Sequence, residues 1–243
     1  MFRKRRKPKS IRQQRIKTRK VAYRRTVENW KNSLIGYPAF ILGNAPSLED
    51  IELDVLDNYF TIGINRIFYK FDPTVLMWQD VELMYSEKHL IPKLDAIKYC
   101  RDKADIQGRF YHFKLKNGPY QLPENADVLY GRGSSGPLAF QLAYILGCSP
   151  IIMLGMDCKY VAGKTDFYGK NPHHRPHTLR NCSKGIEWIG KVAKSQKIKT
   201  INCSFNDLLG PYVPLKQAIS FLDSTSPTNR ELFSLKILGS TGK

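Results

Sequence analysis

Several polar side chains in this sequence sit directly after short apolar runs, where a strand would deliver them to one edge of a sheet. Ile41-Leu42 runs into Gly43-Asn44-Ala45-Pro46-Ser47-Leu48, Ile64 into Asn65, Trp78 into Gln79-Asp80, and Leu154 into Gly155-Met156-Asp157. The first of these reads as a strand-to-helix turn with free backbone N–H groups, suited to an anion such as phosphate. It has neither the GxGxxG dinucleotide fingerprint nor the GxxxxGK[ST] of a P-loop, which disfavours both of those modes. Gly133-Ser134-Ser135-Gly136 is a second small-residue turn, and its hydroxyls and amides suit a carboxylate or a sugar hydroxyl. A third segment, Thr165–His177, mixes Tyr168 and Arg175 with His173, His174 and His177. Those histidines are adjacent and then three apart across Pro176, which does not give the two-histidine helical face of a zinc hydrolase, so no metal site is assigned. The segment reads instead as a lid carrying one histidine as general base. No GxSxG or comparable nucleophile motif is present.

The elements that must hold these groups follow from apolar runs and turn residues. Strands are expected at 37–42, 60–65, 75–78, 151–154 and 199–202. Helices are expected at 27–34, after an N-cap at Ser47, over 81–104 with a break at Pro92, from Pro137 to Leu146, and over 183–194. Continuous apolar strands alternating with helices predict an α/β fold: a Rossmann-like parallel sheet with helices on both faces and a long lid loop. In such sheets ligands bind beyond the carboxyl ends of the strands, where Asn44, Asn65, Asp80, Ser134 and Asp157 collect.

The chain has 243 residues with a net charge of +18, unevenly spread. Residues 1–25 hold thirteen Lys and Arg and no acid, against 26 basic and 21 acidic groups in the rest. This divides the chain into a basic N-terminal arm, 1–25, and an α/β domain, 26–243. The arm suits a polyanion, with nucleic acid the expected partner through counterion release. No apolar stretch approaches the ~20 residues needed to cross a bilayer. The five cysteines, with no CxxC, read as reduced thiols of a cytoplasmic protein.

The order of Gly43-Asn44-Ala45-Pro46-Ser47-Leu48, Gly63-Ile64-Asn65, Ser134-Ser135-Gly136 and Leu154-Gly155-Met156-Asp157 resembles one superfamily. It contains the bacterial sialyltransferases of glycosyltransferase family 42 and the related DUF115 proteins, some of them pyrophosphokinases, with similar chains in bacteriophages. The resemblance spans about residues 37–215. It implies a glycosyltransferase that needs no metal or cofactor and uses a nucleotide-activated sugar of the CMP-sugar type. By that resemblance Asn44, Ser47 and Asn65 would hold the donor nucleotide and Ser134, Ser135 and Gly136 the donor sugar; Gly43, Asp80 and Asp157, at the same sheet edge, are expected beside the nucleotide. His177 would deprotonate the acceptor, while Tyr160, Tyr168 and Arg175 or Arg180 would steady the departing phosphate. Tyr160 is one residue out of the family's register and Tyr168 aligns only approximately. A pyrophosphokinase or other nucleotide-phosphate transferase holding a divalent ion at Asp80 and Asp157 is the rival enzyme reading. A noncatalytic nucleic-acid-binding phage protein is the second.

Overall fold

The computed structural model describes residues 27–105, 110–171 and 177–222. Eight strands form one parallel sheet: β1 (Ala39–Leu42), β2 (Phe60–Ile64), β3 (Val75–Trp78), β4 (Ile97–Arg101), β5 (Tyr111–Asn117), β6 (Val128–Gly131), β7 (Ile151–Leu154) and β8 (Thr200–Cys203). Their order is β6-β5-β4-β3-β2-β1-β7-β8. The chain builds outward from β1 to β6, then crosses back to place β7 on the other side of β1. β1 and β7 therefore flank the point where the strand order reverses, the place where such sheets form a ligand crevice at the carboxyl edge.

β1, β2, β3 and β7 are buried along their whole length because both faces of the sheet are covered. Alternate side chains enter two cores: Ala39 and Ile41 on one face, Phe40 and Leu42 on the other. The first face is covered by α2 (Ser135–Leu146) and α3 (Thr178–Ser195), the second by the short α1 (Val81–Ser86) and α4 (Leu215–Ser220) with several single turns. Every residue of α2 except Tyr144 is buried, since it lies between the sheet and α3. Its Gln141 is fully buried and satisfied: the amide donates to the Tyr130 carbonyl at 2.7 Å and accepts from the Tyr130 N–H at 2.9 Å. That pairing ties β6, at the end of the sheet, to the core. α3 is amphipathic, turning Gly185, Ile186, Ile189 and Ala193 inward.

The α/β parallel architecture matches the expectation, with several corrections. The helix expected over 81–104 ends at Ser86, and Ile97–Arg101 is β4, because its edge-on neighbours β3 and β5 offer backbone partners that a local pattern cannot reveal. β5 and β6 occupy stretches to which the sequence pattern assigns no element. Pro46–Leu48 is a single 3₁₀ turn with Ser47 inside it, not an α-helix capped by Ser47. At 28–30 there is likewise only one 3₁₀ turn, which Trp30 anchors against Tyr99 and Tyr111. The cysteines are not all free: Cys158 and Cys182 form a disulfide, while Cys100, Cys148 and Cys203 are buried thiols. The bridged residues lie 24 apart, brought together only by the return of the lid onto α3. This removes the cysteine-based argument for a reducing compartment.

Candidate functional site

A cavity of about 370 Å³ opens at the carboxyl edge of the sheet, beside the β1–β7 switch point. Its floor is backbone brought unusually close. A Cβ on Gly43 would lie 2.0 Å from the Gly155 carbonyl oxygen, so the ends of β1 and β7 can meet only without side chains there. Gly155 also takes a left-handed φ of +64°, which turns the chain into the lid.

Of the sequence-expected residues, Asn44, Asn65, Asp80, Ser134, Ser135, Gly136, Asp157 and His177 line this cavity. Asn44 ends β1; its amide nitrogen donates to the Ile64 carbonyl at 2.9 Å, which leaves its Oδ1 buried without a hydrogen-bond partner. Asn65, in a left-handed turn after β2, accepts from the Ser135 hydroxyl at 3.4 Å. Ser135 in turn accepts from Gln79 Nε2 at 3.2 Å. This relay fixes the carboxyl ends of β2 and β3 to the first turn of α2. Ser134 is the N-cap of α2 and makes no side-chain capping bond, and Ser134, Ser135 and Gly136 at this end of a twelve-residue helix line the cavity, while Pro137 carries no N–H.

Asp157 does a different job from the one expected of a ligand contact. Its Oδ1 accepts from the Ser47 hydroxyl at 2.7 Å and the Phe205 N–H at 3.0 Å, and its Oδ2 from the Ser47 N–H at 3.1 Å. One carboxylate thus clamps the loops that follow β1, β7 and β8. Gly43 and Ser47 lie behind the wall rather than on it. His177, the exposed N-cap of α3, stands at the mouth. Tyr160 is exposed and Arg180 faces outward; neither lines the cavity. Arg175 lies outside the described residues, as do His173, His174 and the arm 1–25.

Arg66 was missed by the sequence reading, although it directly follows Asn65. It is the one Lys or Arg on the cavity wall among the described residues. Its guanidinium donates to Ser86 Oγ at 2.9 Å and to Glu87 at 3.3 Å, and Glu87 also accepts from the Tyr69 hydroxyl at 2.6 Å. Tyr168 sits behind it, edge-on to Tyr69 with ring centroids 5.7 Å apart and held by Asn171 at 3.2 Å. Burial pushes the Tyr168 phenol well up, with Asp166 adding and Arg66 opposing, so it stays protonated at neutral pH and can donate. The same wall carries the carboxylates of Asp80, Glu82, Asp157 and Asp166. The lid is pinned above them: the Phe167 N–H donates to the Asn44 carbonyl at 2.8 Å, Lys164 pairs with Glu49 at 2.7 Å, and the Cys158–Cys182 bridge joins it to α3.

Fold and cavity together define a Rossmann-like α/β protein with its site at the topological switch point. No protein-family model and no curated protein sequence matches the chain. Among the described residues, no helix is long and apolar enough to cross a membrane.

Proposed function

We propose that this chain is a glycosyltransferase of the family 42 type, transferring a sugar from a CMP-sugar-like donor by direct displacement. The observation that supports this reading most is the convergence of Asn44, Asn65, the α2 N-terminus and His177 on one cavity. The buried, unpartnered Asn44 Oδ1 is an acceptor in want of a donor, which a nucleoside amino or hydroxyl group supplies. The free amides at the start of α2 suit the donor's carboxylate, and Arg66, backed by Tyr168, suits the departing phosphate. Histidine at the mouth would take the acceptor hydroxyl's proton as the sugar–phosphate bond breaks. The basic arm would raise the local concentration of a nucleic-acid acceptor through phosphate contacts.

One observation favours the rival reading, a metal-assisted nucleotide-phosphate transferase: among the described residues the cavity lining holds four carboxylates and a single guanidinium. Three donors already occupy Asp157, so an ion held there would have to compete with those hydrogen bonds. A thermal-shift titration separates the two. CMP should raise Tm without added metal, and Asn44→Ala should weaken the shift. Stabilisation by ATP only in the presence of Mg²⁺ would overturn the glycosyltransferase reading in favour of the rival.

A further inference from the structure

Outside the arm the chain carries only five more basic than acidic groups, and that whole excess lies in one stretch. Residues 178–199 hold Arg180, Lys184, Lys191, Lys194, Lys197 and Lys199 against the single acid Glu187; everything else beyond residue 25 is balanced. All six basic residues are exposed, and among the described residues none enters an ion pair. Four fall at 180, 184, 191 and 194, in steps of four, seven and three that keep them on the outer face of α3, with the exposed Glu187 on the same face between Lys184 and Lys191. At 1.5 Å per residue the row is about 21 Å long, roughly six nucleotide steps of 3.4 Å.

The row has direction. At one end His177, Asn181 and Cys182 line the cavity. At the other, Lys197 and Lys199 share a hollow with Lys31, four residues from where the described chain begins at Val27. A charged face without a partner is ordinarily just solvated. Here, though, a neutral body concentrates its entire surplus on one line ending at a cavity mouth.

We propose that the outer face of α3, continued by Lys197, Lys199 and Lys31, is a track for a nucleic-acid backbone that leads the strand to the cavity mouth. Nucleic acid fits better than an anionic bilayer because the face offers no apolar side chain to insert. The apolar residues Ile186, Ile189 and Ala193 are buried against the sheet side. The contacts are to phosphates, so binding is sequence-tolerant and salt-dependent. The binding itself does not depend on the proposed reaction, which enters only in what the track serves.

The test uses the full chain and a fluorescein-labelled single-stranded oligonucleotide, with anisotropy titrations between about 50 and 200 mM salt. Lys184→Glu, Lys191→Glu and Lys194→Glu together should lower the slope of log K against log salt by about two, at ~0.7 per lost contact, and weaken binding about 100-fold at ~0.1 M salt. A control with Lys88→Glu, Lys93→Glu and Lys103→Glu, equally exposed and equal in charge change, should shift the slope by less than half as much. Lysine acetylation of the unmutated protein should show Lys184, Lys191 and Lys194 protected by the oligonucleotide and Lys88 not. Equal losses in both variants, or no protection, would overturn the track. So would a triple variant that loses binding to phosphatidylserine vesicles yet keeps the oligonucleotide. If CMP fails to stabilise the protein, the glycosyltransferase reading falls and the track stands.

Discussion

The aspartate after β7 and the asparagine after β1 occupy matching places on neighbouring strands, yet their surroundings divide their work. Asp157 spends both oxygens on three donors from two other loops, which makes it a positioning residue for the cavity floor. Asp157→Ala would leave the Ser47 and Phe205 amides without their acceptor in a part-buried setting. It should cost about 2–3 kcal/mol in urea unfolding, the range for hydrogen bonds to a charged group. The exposed Asp207→Ala should stay within about 0.5 kcal/mol. A loss for Asp157→Ala as small as the control's would deny the clamp. Asn44 keeps an oxygen in reserve, and His177 stands free at the mouth. If His177 is the general base, His177→Ala should lower turnover by on the order of 10²–10⁴-fold with CMP stabilisation intact. The exposed His89→Ala, remote from the cavity wall, should leave turnover unchanged. Equal turnover in the two variants would remove His177 from the mechanism.

At the scale of elements, α3 carries three tasks on three of its faces. Its first turn supplies cavity wall, its inner face packs Ile186 and Ile189 against the sheet side, and its outer face bears the basic row. The Cys158–Cys182 bridge fixes the lid to the first of these. The strands differ in how plainly they can be read. β1, β2, β3 and β7 are continuous apolar runs because they are central and buried on both faces. β4 and β5, written Ile97-Lys98-Tyr99-Cys100-Arg101 and Tyr111-His112-Phe113-Lys114-Leu115-Lys116-Asn117, carry charged and polar residues among their apolar ones. Lysine and arginine there reach solvent while Tyr99 and Phe113 enter the core, so the run looks polar to a count of apolar residues.

For the whole molecule, the buried neutral groups set a direction for pH. Burial holds the Cys203 thiol up to about 12 and pushes the Cys100 and Cys148 thiols and the Tyr99 phenol well above their ordinary ranges. In the unfolded chain these thiols ionise near pH 8.5 and the phenol near 10. The folded state therefore binds more protons than the unfolded one from about pH 8.5 upward. The stability they contribute is fully present below that value and is lost as pH rises toward the folded values. Melting temperature should be level from pH 7 to about 8.5 and fall steadily above about 9, and Cys148→Ala should flatten part of the decline. A melting temperature that stays level to about pH 11 would contradict this assignment of burial.

From the sequence came the parallel α/β class, the strands at the centre of the sheet, and eight of the residues on the cavity wall. Each of these is a local signal: an apolar run of strand length followed at once by a polar residue puts that residue at the carboxyl edge, whatever the strand order. The uneven charge is likewise local, since it needs only counting. Strand order, the switch point between β1 and β7, the strand identity of β4 to β6 and the Cys158–Cys182 bridge were decided by tertiary structure alone. So were the roles within the site: Asp157 as a clamp, Arg66 as the wall's cation, Tyr168 as its support, and Gly43 as a point of backbone contact. Those depend on which distant groups meet. Ser47 lies 110 residues from Asp157, and nothing in either neighbourhood specifies the other until the sheet brings their loops side by side.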